Sequence, residues 1–288
     1  MSSSRRLRGR LALKVVPLLT TLFALAFTNI VAAVDIGSLT WNQANIAALR
    51  SLDRAAIFAL ITHGHPAPGF TPAEIGEFEW ADLANNGQYQ LVLILSGPCA
   101  HAVDIEKRDA SGKVTTVQII EGFANLKTGI RDLNGDGKDE LIIDKSLVEL
   151  SCADNITWPV VYRLEKGKYV EASRGFPAYY DGEVLPKLST GISKYQAKGE
   201  PATSRNLWPL IMMRAKILRV LGREPTAGLR QARRWMNTDD PGLLLAATVT
   251  FNDIPGHKEE AKAARVRYDR ALCKRHPRMV MCRNLPKQ

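Results

Sequence analysis

Asp132-Leu-Asn-Gly-Asp-Gly-Lys-Asp-Glu140, running straight into Leu141-Ile-Ile143, restricts the fold of this chain more than any other stretch. Carboxylate or carboxamide oxygens stand at alternate positions, and a glycine then turns the backbone where a Cβ would clash. Asp132, Asn134 and Asp136 occupy positions 1, 3 and 5 of the loop, Lys138 offers its backbone carbonyl from position 7, and Glu140 stands at position 9. An oxygen-only set with this spacing suits a hard cation such as calcium. An EF-hand would place a bidentate Glu at position 12, but that position is Ile143, and the β-branched run after the loop favours a strand. The expectation is a strand–loop–strand calcium site with Asp132, Asn134, Asp136, Lys138 and Glu140 as ligands.

A second copy of the loop lies fifty residues upstream, in Trp80-Ala-Asp-Leu-Ala-Asn-Asn-Gly-Gln-Tyr-Gln-Leu-Val-Leu-Ile94. Asp82 aligns with Asp132, Asn86 with Asp136 and Gly87 with Gly137, whereas Ala84 and Gln90 replace the ligands at positions 3 and 9. The turn survives and most of the negative charge does not, so this copy is not expected to hold calcium. Each loop is followed by short β-rich runs separated by glycine turns, which are hairpin signals. In the first copy the strands are expected at Phe78–Ala81, Leu91–Ser96, Ala102–Arg108 and Val114–Ile120, with a turn at Asp109-Ala-Ser-Gly112. In the second they are expected at Gly129–Arg131, Leu141–Ile143, Val160–Leu164 and Tyr169–Ala172, with a turn at Glu165-Lys-Gly167. Two four-stranded meanders do not close a propeller, which needs at least about four blades. The economical arrangement is two blade-like sheets packed face to face or edge to edge.

The segment from Ile130 to Ile143 resembles the loop of FG-GAP and VCBS-type repeats, strand, D-x-[DN]-x-D-G-x-x-[DE], strand. The resemblance implies a blade-like antiparallel unit with calcium between its first two strands. The FG and GAP signatures themselves are not recognisable.

The N-terminus reads as a secretory signal: Arg5, Arg6, Arg8, Arg10 and Lys14 precede the apolar run Val15–Phe27, and Val31-Ala-Ala33 supplies small residues for cleavage. A periplasmic or secreted location follows, with no transmembrane segment in the mature chain. In such a location the four cysteines become a disulfide question. Cys99 and Cys152 hold equivalent places in the two repeats, between their second and third strands, so they are paired here. Cys273 and Cys282 then close a short C-terminal loop. The absence of CxxC argues against catalytic redox chemistry.

Charge divides the remainder. Residues 34–200 carry 22 Asp/Glu against 16 Lys/Arg, and residues 201–288 carry 18 Lys/Arg against 7 Asp/Glu. The boundary near Gly199-Glu-Pro201 suggests four segments: a signal peptide at 1–33, a helical segment at 34–70, a two-repeat β module with its calcium loop at 71–200, and a basic helical module at 201–288. The fold class is therefore α+β, antiparallel β meanders followed by an all-helical C-terminal module. Helices are expected at Leu207–Leu221, Ala227–Met236, Gly242–Asn252 and Lys258–Lys274, with Asp240-Pro241 as N-cap and first helical residue of the third. A further helix is expected over Asn42–His63, burying Ile46, Leu49, Ala56 and Leu60.

No G-x-S-x-G, H-E-x-x-H or phosphate-cradling G-x-x-x-x-G-K-[ST] occurs, so no catalytic residue is assigned. His63-Gly-His65 lacks an identifiable third ligand, and the sequon Asn155-Ile-Thr157 matters only in a glycosylating host. Arg230, Arg233, Arg234, Arg265, Arg267 and Arg270 form basic helical faces suited to phosphate. The partners this suggests are a protein or an acidic envelope polymer; aromatic interleaving for single-stranded nucleic acid is missing. The expected role is an exported, calcium-stabilised, non-enzymatic binding or structural protein. The alternative is an exported hydrolase of an envelope polymer.

Overall fold

Alternating apolar residues bounded by glycine turns build two antiparallel meanders in the computed structural model, which describes residues 39–62, 70–97, 101–149, 155–279 and 282. The first sheet is β1 (Ile75–Ala81), β2 (Gln90–Ser96), β3 (His101–Arg108) and β4 (Val114–Glu121). The second is β5 (Ile130–Arg131), β6 (Glu140–Glu149), β7 (Asn155–Glu165) and β8 (Lys168–Glu171). Both run in sequential order with antiparallel neighbours. The expected fold class and all eight expected strands are present.

Two short helices, α1 (Ile46–Arg50) and α2 (Arg54–Thr62), precede the first sheet, and α3 (Leu126–Gly129) links the sheets. The single helix expected over Asn42–His63 is broken at Ser51–Asp53, because Asp53 turns from helical residue to cap: its Oδ1 accepts from the Ala56 amide at 2.8 Å. The break rephases the buried side, which becomes Leu49, Ile57 and Leu60 in place of the expected Ile46 and Ala56.

The change from strand to helix comes at Pro177, well before Gly199. There α4 (Pro177–Tyr179) passes through a π turn at Tyr180–Val184 into α5 (Leu185–Ala197). Gly182, Pro186 and Gly191 hide this helical run from a propensity reading. The four expected C-terminal helices follow as α6 (Trp208–Val220), α7 (Thr226–Trp235), α8 (Pro241–Asn252) and α9 (Lys258–Arg275). Asp240 caps α8 as expected, accepting from the Leu243 amide at 3.1 Å. Cys273 and Cys282 are joined, with their Cα atoms 5.4 Å apart. Cys99 and Cys152, residues 1–33 and His63-Gly-His65 lie outside the described residues. No described helix is long and apolar enough to cross a membrane.

One core joins the two sheets. Val92, Ile94, Val103 and Ile105 of the first share it with Leu141, Ile143 and Val160 of the second. Val160 and Val161 are successive yet both fully buried, so β7 is covered on both faces, and Tyr180, Leu188 and Ile217 from the helices belong to the same core. The opposite face of the first sheet carries Trp80, Leu91 and Leu93 toward the N-terminal helices, with Trp41 packed edge-on against Trp80 at 4.7 Å. A second core holds α6 to α9 together around Trp208, Trp235 and Phe251.

The sheets meet through backbone just after β4. Phe123 and Asp144 exchange backbone hydrogen bonds at 3.1 and 2.6 Å. Gly122, at φ +135°, brings its backbone so near that an added Cβ would lie 2.7 Å from Ile143 Cγ2 and 2.9 Å from the Asp144 carbonyl. Strained backbone and backbone collision coincide there. Gly122→Ala is therefore expected to lower unfolding stability by roughly 2–4 kcal/mol, measured by urea denaturation. A loss below about 0.5 kcal/mol, the range of neutral surface changes, would show that the sheets do not meet here.

Candidate metal centre and buried carboxylates

The Asp132–Glu140 loop joins β5 to β6, so it lies between strands and not between helices. Its carboxylates collect backbone amides. Asp132 Oδ1 accepts from Gly135 at 2.6 Å and from Asn134 at 3.2 Å, and Asp132 Oδ2 accepts from Gly137 at 2.8 Å. These amides hold the Asp132 carboxyl below its usual range. Asp136 Oδ1 accepts from the Lys138 amide at 2.9 Å, and its Oδ2 accepts from Asn134 Nδ2 at 3.1 Å. Asn134 Oδ1 in turn accepts from the Asp136 amide at 2.9 Å.

Glu140 behaves differently. It is fully buried; one oxygen accepts from the Leu133 amide at 2.9 Å, and Oε1 has no hydrogen-bond partner. Burial pushes its carboxyl up, with the Asp136 and Asp132 charges adding to the shift. The five sequence-expected residues thus share one loop. Lys138 contributes no side-chain ligand, and a carbonyl is the only oxygen it has to offer. Among the described residues, no group of three or more His, Cys, Asp or Glu side chains converges as a metal site on its own. A cation here would draw on amide and carbonyl oxygens as well as on carboxylates.

The upstream loop repeats this hydrogen-bond pattern. Asp82 Oδ2 accepts from the Gly87 amide at 2.7 Å, as Asp132 does from Gly137, and Asn86 Oδ1 accepts from Gln88 at 3.0 Å, as Asp136 does from Lys138. The left-handed positions correspond too: Asn85 and Gly87 at φ +49° and +80°, Gly135 and Gly137 at +75° and +82°. The two loops touch. A Cβ on Gly137 would meet Asn85 Nδ2 at 2.9 Å. Between them runs a polar groove bordered by Asp82, Asn85, Gly137 and Asp139, where burial and the Asp132 charge, with a smaller contribution from Asp82, raise the Asp139 carboxyl.

A second set of acids was not anticipated from the sequence. Asp104 and Glu106 stand two apart on β3 and therefore share a face, opposite Leu93 and Leu91 respectively. They are 6% and 5% exposed. Thr116 Oγ1 donates to Glu106 Oε1 at 2.7 Å, whereas Asp104 Oδ1 has no partner. Burial, then the Glu106 charge, push the Asp104 carboxyl up to about 7, and burial raises Glu106 too. Asp104 therefore titrates across the neutral range. Period-two counting along Val103-Asp-Ile-Glu106 would have found it, since Val103 and Ile105 take the other face and leave both acids among leucines.

Comparison with known protein families, with curated proteins and with solved structures gives no match for this chain.

Because the folded state keeps a proton on Asp104 that the unfolded chain releases near pH 4, the contribution of Asp104 to stability is greatest below that pH and declines as pH rises toward about 7. Asp104→Asn removes this penalty. The variant is expected to match wild type within about 1 °C at pH 3 and to melt at least roughly 2 °C higher at pH 8, a gain of order 1 kcal/mol. Equal differences in melting temperature at the two pH values would contradict a protonated Asp104.

Proposed function

We propose that this chain is an exported, non-enzymatic binding protein whose two-sheet body is stabilised by calcium in the Asp132–Glu140 loop and whose basic helices form the docking surface. The observation that carries the metal reading is the Glu140 carboxylate, fully buried with one oxygen unpartnered beside two further acids. A buried carboxylate oxygen without a partner is costly, the Arg163 charge offsets only part of the burial, and an oxygen-ligated divalent cation is the chemistry that this donor set accommodates. Asp132, Asn134, Asp136, the Lys138 carbonyl and Glu140 are the residues that would hold it. Bound there, calcium supplies positive charge that offsets three carboxylates and ties the end of β5 to the start of β6. The FG-GAP or VCBS kinship proposed for the loop agrees with its place between two strands and with the recurrence of its hydrogen bonds at Asp82–Gln88.

Export is supported by the basic, apolar and small-residue sequence of positions 5–33, and by the Cys273–Cys282 bridge, since such bonds persist in oxidising compartments. A hydrolase would need acids on the wall of a cleft. The neighbouring acids Asp104 and Glu106 are instead buried on a sheet face, which favours the binding role.

Calcium at 100-fold excess over its Kd is expected to stabilise wild type by about 2.7 kcal/mol, read as a rise in melting temperature that chelator reverses. Asp136→Ala is expected to abolish the rise. Glu140→Gln, which neutralises the buried carboxylate while keeping its shape, is expected to melt above wild type in chelator and to respond less to calcium. An unchanged wild-type melting temperature on adding calcium would dismiss the metal reading.

A further inference from the structure

We propose that the groove between α5, α6 and α7 is a binding site for a phosphate group, carried either by a small phosphorylated compound or by a lipid headgroup. This rests on the reading of the helices as a docking surface and does not depend on calcium. The groove holds about 350 Å³, within the range of small-ligand pockets, and is more polar than apolar. Arg214 of α6 and Arg230 and Arg234 of α7 border it, together with Gln196 and Gln231, and no acidic residue lines it.

These three arginines share one groove, with no acid on its wall to neutralise them. Nearby cations are paired: Lys216 with Asp253 at 2.9 Å, Arg223 with Asp181 at 2.6 Å and Arg233 with Glu260 at 2.9 Å. Among the described residues none of Arg214, Arg230 and Arg234 forms an ion pair. The Nε of Arg214 is buried without a hydrogen-bond partner. Gln231 is more than nine-tenths buried, and its side chain makes no hydrogen bond among the described residues. A buried donor left unmade, as at Arg214 Nε, is costly, so an acceptor-rich ligand is the missing element.

Two further features point to the same chemistry. The N-terminus of α7 has Pro225 as its cap residue and no side-chain cap, and Ala227 and Gly228 of its first turn line the groove. An uncapped helix start favours an anion. Gly228 packs so tightly on α6 that a Cβ would meet the Ala215 Cβ at 2.6 Å, which sets Arg214 close beside the α7 arginines. Three guanidinium charges exceed what one carboxylate neutralises; a phosphate monoester carries roughly −1.5 to −2 at neutral pH, and its oxygens fit the guanidinium fork. No aromatic residue lines the groove, so nothing there stacks a base, and an extended nucleic-acid strand is disfavoured.

The test is calorimetric titration of the full chain with inorganic phosphate, glycerol 3-phosphate and vesicles containing phosphatidic acid, each with calcium and with chelator. Saturable binding at one site per chain is expected, unchanged by chelator. The exposed-residue double variant R230Q/R234Q is expected to weaken it at least about ten-fold, the scale for losing charge-assisted hydrogen bonds, as is R214Q. The control R265Q, whose side chain pairs with Asp269 outside the groove, is expected to leave it unchanged. Binding of glycerol 3-phosphate identifies a soluble ligand, and binding of vesicles alone identifies a headgroup. Absence of saturable binding to all three probes, or equal affinities of wild type and R230Q/R234Q, overturns the site. Loss of the calcium response with phosphate binding intact removes only the metal reading.

Discussion

Val92, Ile94, Val103 and Ile105 interlock with Leu141, Ile143 and Val160, and this shared apolar interface positions everything else in the body of the molecule. Neither meander covers its own inner face. Burying both at once removes apolar area from water, at about 25 cal/mol per Å², and fixes which strand ends lie together. The Phe123–Asp144 exchange and the reciprocal bonds between the Gln118 amide and the Tyr169 backbone, at 2.8 and 3.0 Å, then lock the register of one sheet on the other. With that register set, the turn after β1 and the turn after β5 fall side by side.

Much of this was legible because turn chemistry is local. Asp109-Ala-Ser-Gly112 and Glu165-Lys-Gly167 mark the hairpins, and Gly112 and Gly167 adopt the left-handed angles that such turns require. The strands between them alternate or run apolar, so their positions followed. The helices after Pro201 were legible for the same reason, with Asp240-Pro241 giving a start signal that the capping bond to Leu243 realises. The run from Pro177 to Ala197 was not, because its glycines and prolines oppose helix locally and only the packing of Tyr180 and Leu188 on the sheets outweighs them. The break at Asp53 was missed because one residue can be read either as helix interior or as cap.

The candidate sites divide along the same line. The Asp132–Glu140 loop is contiguous, so its members could be named from spacing, but the isolation of Glu140 Oε1 depends on what the sheets bury. Asp104 and Glu106 look like ordinary strand charges until the neighbouring leucines and the N-terminal helices close over them. Among the arginines, the sequence singled out Arg230, Arg233 and Arg234 together. Folding separates them: Arg233 turns to Glu260, while Arg230 and Arg234 join Arg214 from another helix.

The contact between Asn85 and Gly137 has a consequence for how the two halves divide their labour. A loop with Asn86 and Gln90 where its twin has Asp136 and Glu140 still keeps its bends, because Asp82 and Asn86 hold its amides and its twin leans on it. Such a copy is released from any demand on charge and held to a demand on shape. Drift in the first half should therefore be free in the polarity of residues 84 and 90 and tightly bounded in chain length between Asp82 and Gly87, where a single inserted residue would push the buttress into its neighbour.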